Sequence, residues 1–469
     1  MSQFLITALG SYGDVHPMVG LGAALAARGH RVKIVTNPYF EDVVAGAGLG
    51  FVPIGTREEY IRLTQHRDLW HPIRGPRLVL TNASAGLLRP LYDQLVANYV
   101  AGETVFCAHA MDLASRVAGE KLGAPVASIL FAPGVLWTVH DSPRFKGPLL
   151  GPRVPRWLKR AQFWAGDAFF IRPLLAPELN KVRRQLDLPP VRWILSRWLF
   201  DSDLVLGLFP DWFGPPQPDW PAQTRVVGFP LWDSPGSVPI FQNGRGLAHF
   251  AEYSEQNVPV PLSAERKMGT APFGLSSDVQ EFIAAGPPPI AFSPGSANRG
   301  AHAFFEAAVE ACDRLGCRGI LLTKYDHQLP ARLPDSVRHF GFVPLSKLLP
   351  HTSALVHHGG IGSCAQGLAA GVPQVVQPMS YDQFDNSRRL VRLGVASEIP
   401  VKRFRGRAVA GALAPLLDSA TVATRCRELA ARCNGPAALA AACDALERLA
   451  DPHAAHRGLN PSVANRILQ

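Results

Sequence analysis

The sequence predicts an α/β protein: two Rossmann-like parallel-sheet domains facing each other across a cleft. Three observations predict it. The 469 residues are close to twice the ~250 at which one hydrophobic core stops growing. Short unbroken apolar runs alternate with helical periods in the first third of the chain and again after Asp278, the pattern of strands covered on both faces. Between these regions the apolar period vanishes, and Pro, Gly, Ser and Asn become common, as in a linker. The expected boundaries are 1–232 for the first domain, 233–277 for the linker, 278–400 for the second domain, 401–450 for helices packing across both, and 451–469 for a tail.

The elements follow in order. Phe4 to Leu9 is a strand ended by Gly10-Ser11-Tyr12-Gly13-Asp14, and Pro17 is expected to open a helix that Gly29 closes. Arg31–Thr36, Phe51–Ile54, Thr104–Ala108 and Val126–Phe131 are further strands, with helices at Tyr39–Ala47 and Leu113–Leu122. From Pro133 to Pro230 the pattern is irregular, with helical stretches at Trp157–Ile171 and Pro177–Leu186 and a strand at Leu204–Phe209. The second domain alternates again: strands at Pro289–Ser293, Gly319–Thr323, Val337–Phe340, Ala354–His357 and Gln374–Gln377, with helices at Ala301–Leu315, Ser363–Ala370 and Asp385–Leu393. Arg407–Leu417 and Val422–Leu449 are expected as Ala-rich amphipathic helices. Two such sheets bind ligands at their carboxyl ends.

Composition narrows the function. Apolar residues are 47% and charged residues 18%, which is globular rather than disordered. No run approaches the ~18 apolar residues of a membrane span, and Met1–Ala8 shows no signal-peptide pattern. Seven cysteines without a C-x-x-C pair argue against a disulfide framework or zinc site and for reduced thiols in a cytoplasm. A channel, a secreted mini-scaffold and a fibre are excluded. The net charge of +10 is uneven: from Arg144 to Arg197 twelve Lys or Arg face three acids, and eight of nine tryptophans lie between Trp137 and Trp232. This segment suits a peripheral anionic membrane contact, with Arg156, Lys159 and Arg160 as its charges, or an apolar acceptor cleft. Its bland alternative is core tryptophan and solvated arginine. No nucleic-acid motif accompanies the charge.

Two cofactor motifs are missing. There is neither a G-x-G-x-x-G after the first strand nor a P-loop. What is present is His357-His358-Gly359-Gly360-Ile361-Gly362-Ser363 between a strand and a helix. Glycines admit close approach and the helix N-terminus offers N–H groups, which together suit a diphosphate. A ligand-free turn is the equal alternative for this motif alone. Ser293-Pro-Gly-Ser296-Ala-Asn-Arg299-Gly300 is a second such turn, and Asp382-Gln383 carry the acceptors and donors that grip sugar hydroxyls, though Asp382 also fits a helix cap.

Gly341-Phe342-Val343-Pro344, His358-Gly-Gly-x-Gly-Ser363, Gly371-Val-Pro373 and Asp382-Gln383 together resemble the donor signature of family-1 nucleotide-sugar glycosyltransferases of the GT-B fold. Gly10-Ser-x-Gly-Asp-Val-x-Pro17 with Gly29-His30 resembles their opening, especially in the bacterial macrolide, glycopeptide and sterol branch. The resemblance implies an acceptor-binding first domain and a donor-binding second one. Phe342 then stands where many members stack a Trp on the nucleobase, and Val343 offers backbone groups to the base. His358, Gly360, Gly362 and Ser363, aided by Ser296, hold the diphosphate. Gln366 stands where an acid often binds ribose, and Asp382 and Gln383 hold the sugar. Phe342 leaves uracil or thymine open.

Asp14 occupies the base position, more often His in this family, and His109 occupies the place of its orienting Asp. The pair is exchanged, and either residue can be the base. His16 is a third, weaker candidate. No two glutamates stand eight positions apart, as the retaining members of the fold have them. The resemblance therefore implies an inverting hexosyltransferase using a UDP- or dTDP-sugar and a lipophilic hydroxylated acceptor, with no cofactor and no metal. The rival readings are a sugar-nucleotide epimerase or hydrolase of the same fold, and a non-catalytic nucleotide-binding partner protein. The expected location is cytoplasmic, with peripheral membrane contact an option and no nucleic-acid partner.

Overall fold

The central strands are mostly apolar because both faces of each sheet are covered there. Phe4, Leu5 and Ile6 have no exposed surface, and neither do Phe106, Ala127, Ile129, Ala291, Phe292, Leu355 and Val356. Burying side chains of this size contributes ~1.5–3 kcal/mol each. In the computed structural model, described over residues 1–146, 154–195, 197–233 and 275–451, these strands form two parallel sheets. The first holds β1 (Gln3–Ala8), β2 (Arg31–Thr36), β3 (Gly50–Pro53), β4 (Thr104–His109), β5 (Val126–Leu130), β6 (Leu204–Gly207) and β7 (Thr224–Val226). Their order is β3-β2-β1-β4-β5-β6-β7. The second holds β8 (Ile290–Ser293), β9 (Gly319–Leu322), β10 (Val337–Phe340), β11 (Ala354–His357), β12 (Gln374–Val376) and β13 (Ala396–Glu398). Here the order is β10-β9-β8-β11-β12-β13. Each sheet reverses its order beside its first strand, at β1/β4 and at β8/β11. At the second reversal, Ser293 and His357 are register partners at the strand ends.

The chain divides into unit 1, Met1–Pro230 with Gly435–Gln469, and unit 2, Leu231–Asn434. Residues 234–274, most of the expected linker, and the tail from 452 lie outside the described residues. Residues on the near side of that stretch are tied into unit 2: Asp233 accepts bonds from Ser346 N at 2.8 Å and Ser346 Oγ at 2.7 Å.

In unit 1, α1 (Tyr12–Ala27) starts at Tyr12, with Pro17 inside it. Ser11 caps it and Asp14 completes the capping box, a stronger start signal than a proline. Farther along lie α2 (Ala114–Leu122), α3 (Arg156–Gly166) and α4 (Arg172–Gln185). Unit 2 carries α5 (His302–Leu315), α6 (Ile361–Ala369), α7 (Gln383–Arg392), α8 (Gly406–Leu417) and α9 (Ala420–Ala430). The single helix expected over Val422–Leu449 is two: α9 ends at Ala430, and α10 (Gly435–Ala450) starts anew at Gly435-Pro436. Proline fits only a first turn, and this break is where the chain returns to unit 1. There Arg28 bonds Asp444 at 2.6 Å and Glu447 at 2.8 Å on α10.

Histidine 357 is the polar exception in the second sheet. It has no exposed surface; its Nδ1 accepts the Gly359 N–H at 3.1 Å, which leaves Nε2–H to donate to Gln374 Oε1 at 2.9 Å. Burial, with the neighbouring His358 adding to it, brings its pKa down to about 3. The unfolded chain takes up this proton near pH ~6.5, whereas the folded chain resists it. The stability His357 confers is therefore complete above ~6.5 and is lost as pH falls toward 3. In urea titrations at stepped pH, His357→Asn should lower the midpoint at pH ~7 and flatten its decline below pH ~6.5. A decline as steep as that of the natural chain would show that other groups carry the acid sensitivity.

Candidate active site

Unit 1 brings Asp14 and His109 together at its strand-order reversal. Asp14 follows β1 and His109 ends β4, and Asp14 Oδ1 lies 3.4 Å from His109 Nε2. The other carboxylate oxygen, Oδ2, accepts from Ser11 N at 2.7 Å and Ser11 Oγ at 3.2 Å. The carboxylate thus folds back over Gly10. A Cβ there would lie 2.2 Å from Asp14 Oδ2, and Gly10 holds φ +131, a conformation that suits only glycine.

His109 is held on both sides. Its N–H donates to Thr7 Oγ1 at 2.9 Å, and Thr7 Oγ1 donates to Asp112 Oδ2 at 2.7 Å. Asp112 is buried and also accepts from Ala114 N at 2.7 Å and Ser115 N at 3.0 Å. Burial pushes its carboxyl up, against the pull of these bonds. His109 Nδ1 accepts the Met111 N–H at 3.2 Å. The neutral ring therefore carries its hydrogen on Nε2, facing Asp14. His16, the third candidate base, lies on α1 with its ring 5.1 Å from that of Tyr12.

The Trp-rich segment divides. Trp198 is core: Arg116 and Arg183 flank its ring at 5.7 and 5.6 Å, and its Nε1 donates to Glu120 at 2.6 Å. Trp157, Trp164 and Phe169 are 68%, 52% and 74% exposed, so the reading of these two tryptophans as core fails. Lys159, expected among the surface charges, is instead buried, its Nζ toward Val139 O at 3.4 Å. Its position on α3 faces the protein, whereas Arg156 and Arg160 are exposed.

In unit 2 the two glycine loops meet at His358. A Cβ on Gly295 would lie 2.7 Å from His358 Cε1, and one on Gly360 would lie 2.5 Å from Nε2. The imidazole thus occupies the space that both glycines leave. Desolvation lowers its pKa to about 4, against a hydrogen bond with the Ser293 backbone. At neutral pH it is an uncharged donor beside the start of α6, where Gly360 is the N-cap residue and the first N–H groups have no helical partners. Gly362 and Ser296 are exposed and Ser363 is half-buried; nothing lies within 4 Å of a Cβ built on Gly362.

The remaining expected residues are also placed. Phe342, after β10, is 54% exposed with Lys324 Nζ 5.5 Å over its ring, whereas the Val343 side chain is buried in the core. Gln366 is nearly buried and its Nε2 donates to Leu231 O at 3.1 Å, so the side chain expected at ribose ties down Leu231. Gln383 Oε1 accepts from Met379 N at 2.8 Å and Ser380 N at 3.1 Å, which leaves its amide hydrogens for a ligand. Sequence reasoning passed over Thr7, Asp112 and Asn386. The spacing of Asp112 before Ser115 and of Asn386 four residues after Asp382 carried the signal, since those intervals match a helix cap and a helix i,i+4 pair. Among the described residues, no three His, Cys, Asp or Glu side chains gather to hold a metal. No helix among them is long and apolar enough to cross a membrane.

Known proteins share this fold. The family model for the Glycosyltransferase family 28 N-terminal domain matches residues 4–139. That for the C-terminal domain of Erythromycin biosynthesis protein CIII-like matches residues 319–446. O-mycaminosyltylonolide 6-deoxyallosyltransferase of Streptomyces fradiae is 28% identical over 96% of this chain and 98% of its own. The crystal structure of the glycotransferase of kitacinnamycin superposes over 96% of this chain and 99% of that chain, with a TM-score of 0.66 at 19% identity. Spinosyn rhamnosyltransferase SpnG complexed with thymidine diphosphate does so over 95% and 100%, at 0.58 and 20%. The chain belongs to the family-1 nucleotide-sugar glycosyltransferases of the GT-B fold, in their macrolide, glycopeptide and sterol branch.

Proposed function

We propose that this glycosyltransferase moves a hexose from a UDP- or dTDP-sugar to a hydroxyl of a lipophilic small molecule of sterol, polyketide, flavonoid or lipid type, with inversion at the sugar carbon. The observation that carries the mechanism is the Met111 N–H bond to His109 Nδ1. In the tautomer it selects, Nε2–H faces the Asp14 carboxylate, 3.4 Å away. Asp14 is then the base and His109 its positioning partner. The nucleotide reading draws support from the glycine loops that meet at the start of α6 and from the thymidine diphosphate in the SpnG complex.

The reaction is one displacement. The acceptor hydroxyl gives its proton to Asp14, its oxygen bonds to the anomeric carbon, and the carbon–phosphate oxygen bond breaks with its electron pair leaving on the nucleoside diphosphate. The N–H groups at the start of α6 and the neutral His358 stabilise that departing charge. Phe342 stacks on the base, Val343 meets its edge through the backbone, Ser296 and Ser363 add donors, and Gln366 borders the ribose. Asp382 and Gln383 hold the sugar. In this reading the sugar nucleotide is a co-substrate, and neither a cofactor nor a metal takes part. The enzyme acts in the cytoplasm.

The exposed Trp157, Trp164 and Phe169 beside Arg156, Arg160 and Arg172 give α3 and the start of α4 an aromatic, cationic face. Such a face suits an anionic membrane surface, from which lipophilic acceptors partition.

Three measurements test these assignments. With saturating substrates, Asp14→Asn should lower kcat by ~10²–10⁴-fold without weakening donor binding. His109→Ala should cost less, since the carboxylate remains; the opposite ranking would make His109 the base. In calorimetric titrations with UDP and dTDP, His358→Ala should abolish measurable binding at an unchanged melting temperature. Nucleotide affinity equal to that of the natural chain would remove His358 from the diphosphate site. Finally, co-sedimentation with phosphatidylserine vesicles should fall as salt rises, and fall further when Arg156 and Arg160 are replaced by Gln. Sedimentation indifferent to both would rule out the membrane contact.

A further inference from the structure

Asn386 lies on α7 with no exposed surface. Its Nδ2 donates twice: to Gly359 O in the loop after β11, at 3.0 Å, and to Asp382 Oδ2, at 2.8 Å. A carboxamide nitrogen has two hydrogens, and both are used. Turning the amide over would set its oxygen against a carbonyl and a carboxylate, so the orientation follows from the partners. Its Oδ1 is buried without a hydrogen-bond partner. An Asn four residues after an Asp on a helix commonly makes a local bond of little consequence. Here the same amide also reaches a loop 27 residues back in the chain.

Two features show what this bridge spans. Asp382 is the residue at the N-cap position of α7, yet its side chain makes no capping bond to the helix, the usual use of an Asp there. Its carboxylate takes the Asn386 amide instead. Gly359 packs directly on the start of α7: a Cβ on it would lie 3.1 Å from Gln383 O. The phosphate loop and the sugar-binding pair are therefore pressed together, and Asn386 is bonded to both.

We propose that Asn386 is a positioning residue for the transferred sugar. It sets the Asp382 carboxylate at a fixed offset from the diphosphate loop, so that a sugar nucleotide held by its phosphates presents its hydroxyls to Asp382. The inference rests on the reading of Asp382 as a sugar ligand. Asn386 itself touches the sugar only through Asp382, and its loss is felt by the sugar rather than by the nucleotide.

The test compares each diphosphate with its sugar nucleotide, dTDP with dTDP-glucose and UDP with UDP-glucose, by calorimetry on the full chain. Asn386→Ala should weaken sugar-nucleotide binding roughly ten-fold or more, while diphosphate affinity changes less than about three-fold and the donor KM rises by the same factor as the loss. Asp382→Ala should show the same selective loss, and the double variant should be no worse than Asp382→Ala, because both remove one contact. Retained diphosphate binding proves that a variant is folded; if Asn386→Ala fails that check, Asn386→Ser is read in the same way. Equal losses for diphosphate and sugar nucleotide in every folded variant, or additive losses in the double variant, would overturn the proposal. A selective loss in Asp382→Ala without one in Asn386→Ala overturns only the role of Asn386. No selective loss in Asp382→Ala overturns the sugar role of Asp382, and this inference with it.

Discussion

The reversal of strand order governs where chemistry can sit in this molecule. At β1/β4 and at β8/β11 the neighbouring strands send their next segments to opposite faces of the sheet, which opens a crevice at the carboxyl ends. Each unit places its candidate residues at that crevice. Asp14 and His109 leave the ends of β1 and β4 in unit 1, and the Gly295 and His358 loops leave β8 and β11 in unit 2. The register Ser293↔His357 sets the two glycine loops side by side. Parallel strands with wholly buried faces make that register hard to slip, because a one-residue shift would turn every side chain over.

Glycine turns this backbone geometry into a place for side chains. Gly10 leaves room for the Asp14 carboxylate, and Gly295 and Gly360 leave room for the His358 ring. At Gly360 the ring alone accounts for glycine, whereas Gly10 and Gly295 also hold φ of +131 and +96, which side chains rarely adopt. Polar atoms behind the crevices fix the rest. Thr7 and Asp112 hold the His109 backbone, while His357 and Gln374 hold the start of the loop after β11. These groups are buried and bonded, so they are rigid supports and not solvent-facing ornaments.

Much of this was legible in the sequence, for identifiable reasons. Uninterrupted runs such as Phe4–Leu9 and Ala354–His357 revealed strands because burial on both faces forbids alternation. The glycine loops revealed themselves through composition, and Asp382-Gln383 through order along the chain. Short edge strands were invisible: β7 and β13 have three residues each, too few for any period to show. The split of the last helix was hidden by alanine, which favours helix on both sides of Asn434-Gly435-Pro436. The burial of Lys159 and the ring-flanked Trp198 were hidden as well. Whether a cation or a tryptophan faces water depends on which side of α3 or of the core it meets, and tertiary packing decides that. The tautomer was least legible of all: nothing in the letters says which nitrogen of His109 carries the hydrogen, and only the Met111 N–H bond to Nδ1 turns Nε2–H toward Asp14.

The low pKa of His358 fits a leaving-group contact better than a permanent cation would. A charged imidazolium would bind the ground-state diphosphate strongly and would stabilise it and the transition state alike. A neutral ring in a desolvated slot donates a hydrogen bond that strengthens as negative charge builds on the departing oxygen. The approach of that charge also raises the ring's own affinity for a proton. The N–H groups at the start of α6 respond in the same direction without reorganising. On the proposed reading, stabilisation comes from fixed dipoles and a polarisable neutral donor, in a cradle that the glycines and His357 shape. On the same reading Asp14 follows the converse logic: Ser11 N and Oγ bond its Oδ2 and aim it, while the remaining lone pairs of a carboxylate stay available for the acceptor's proton.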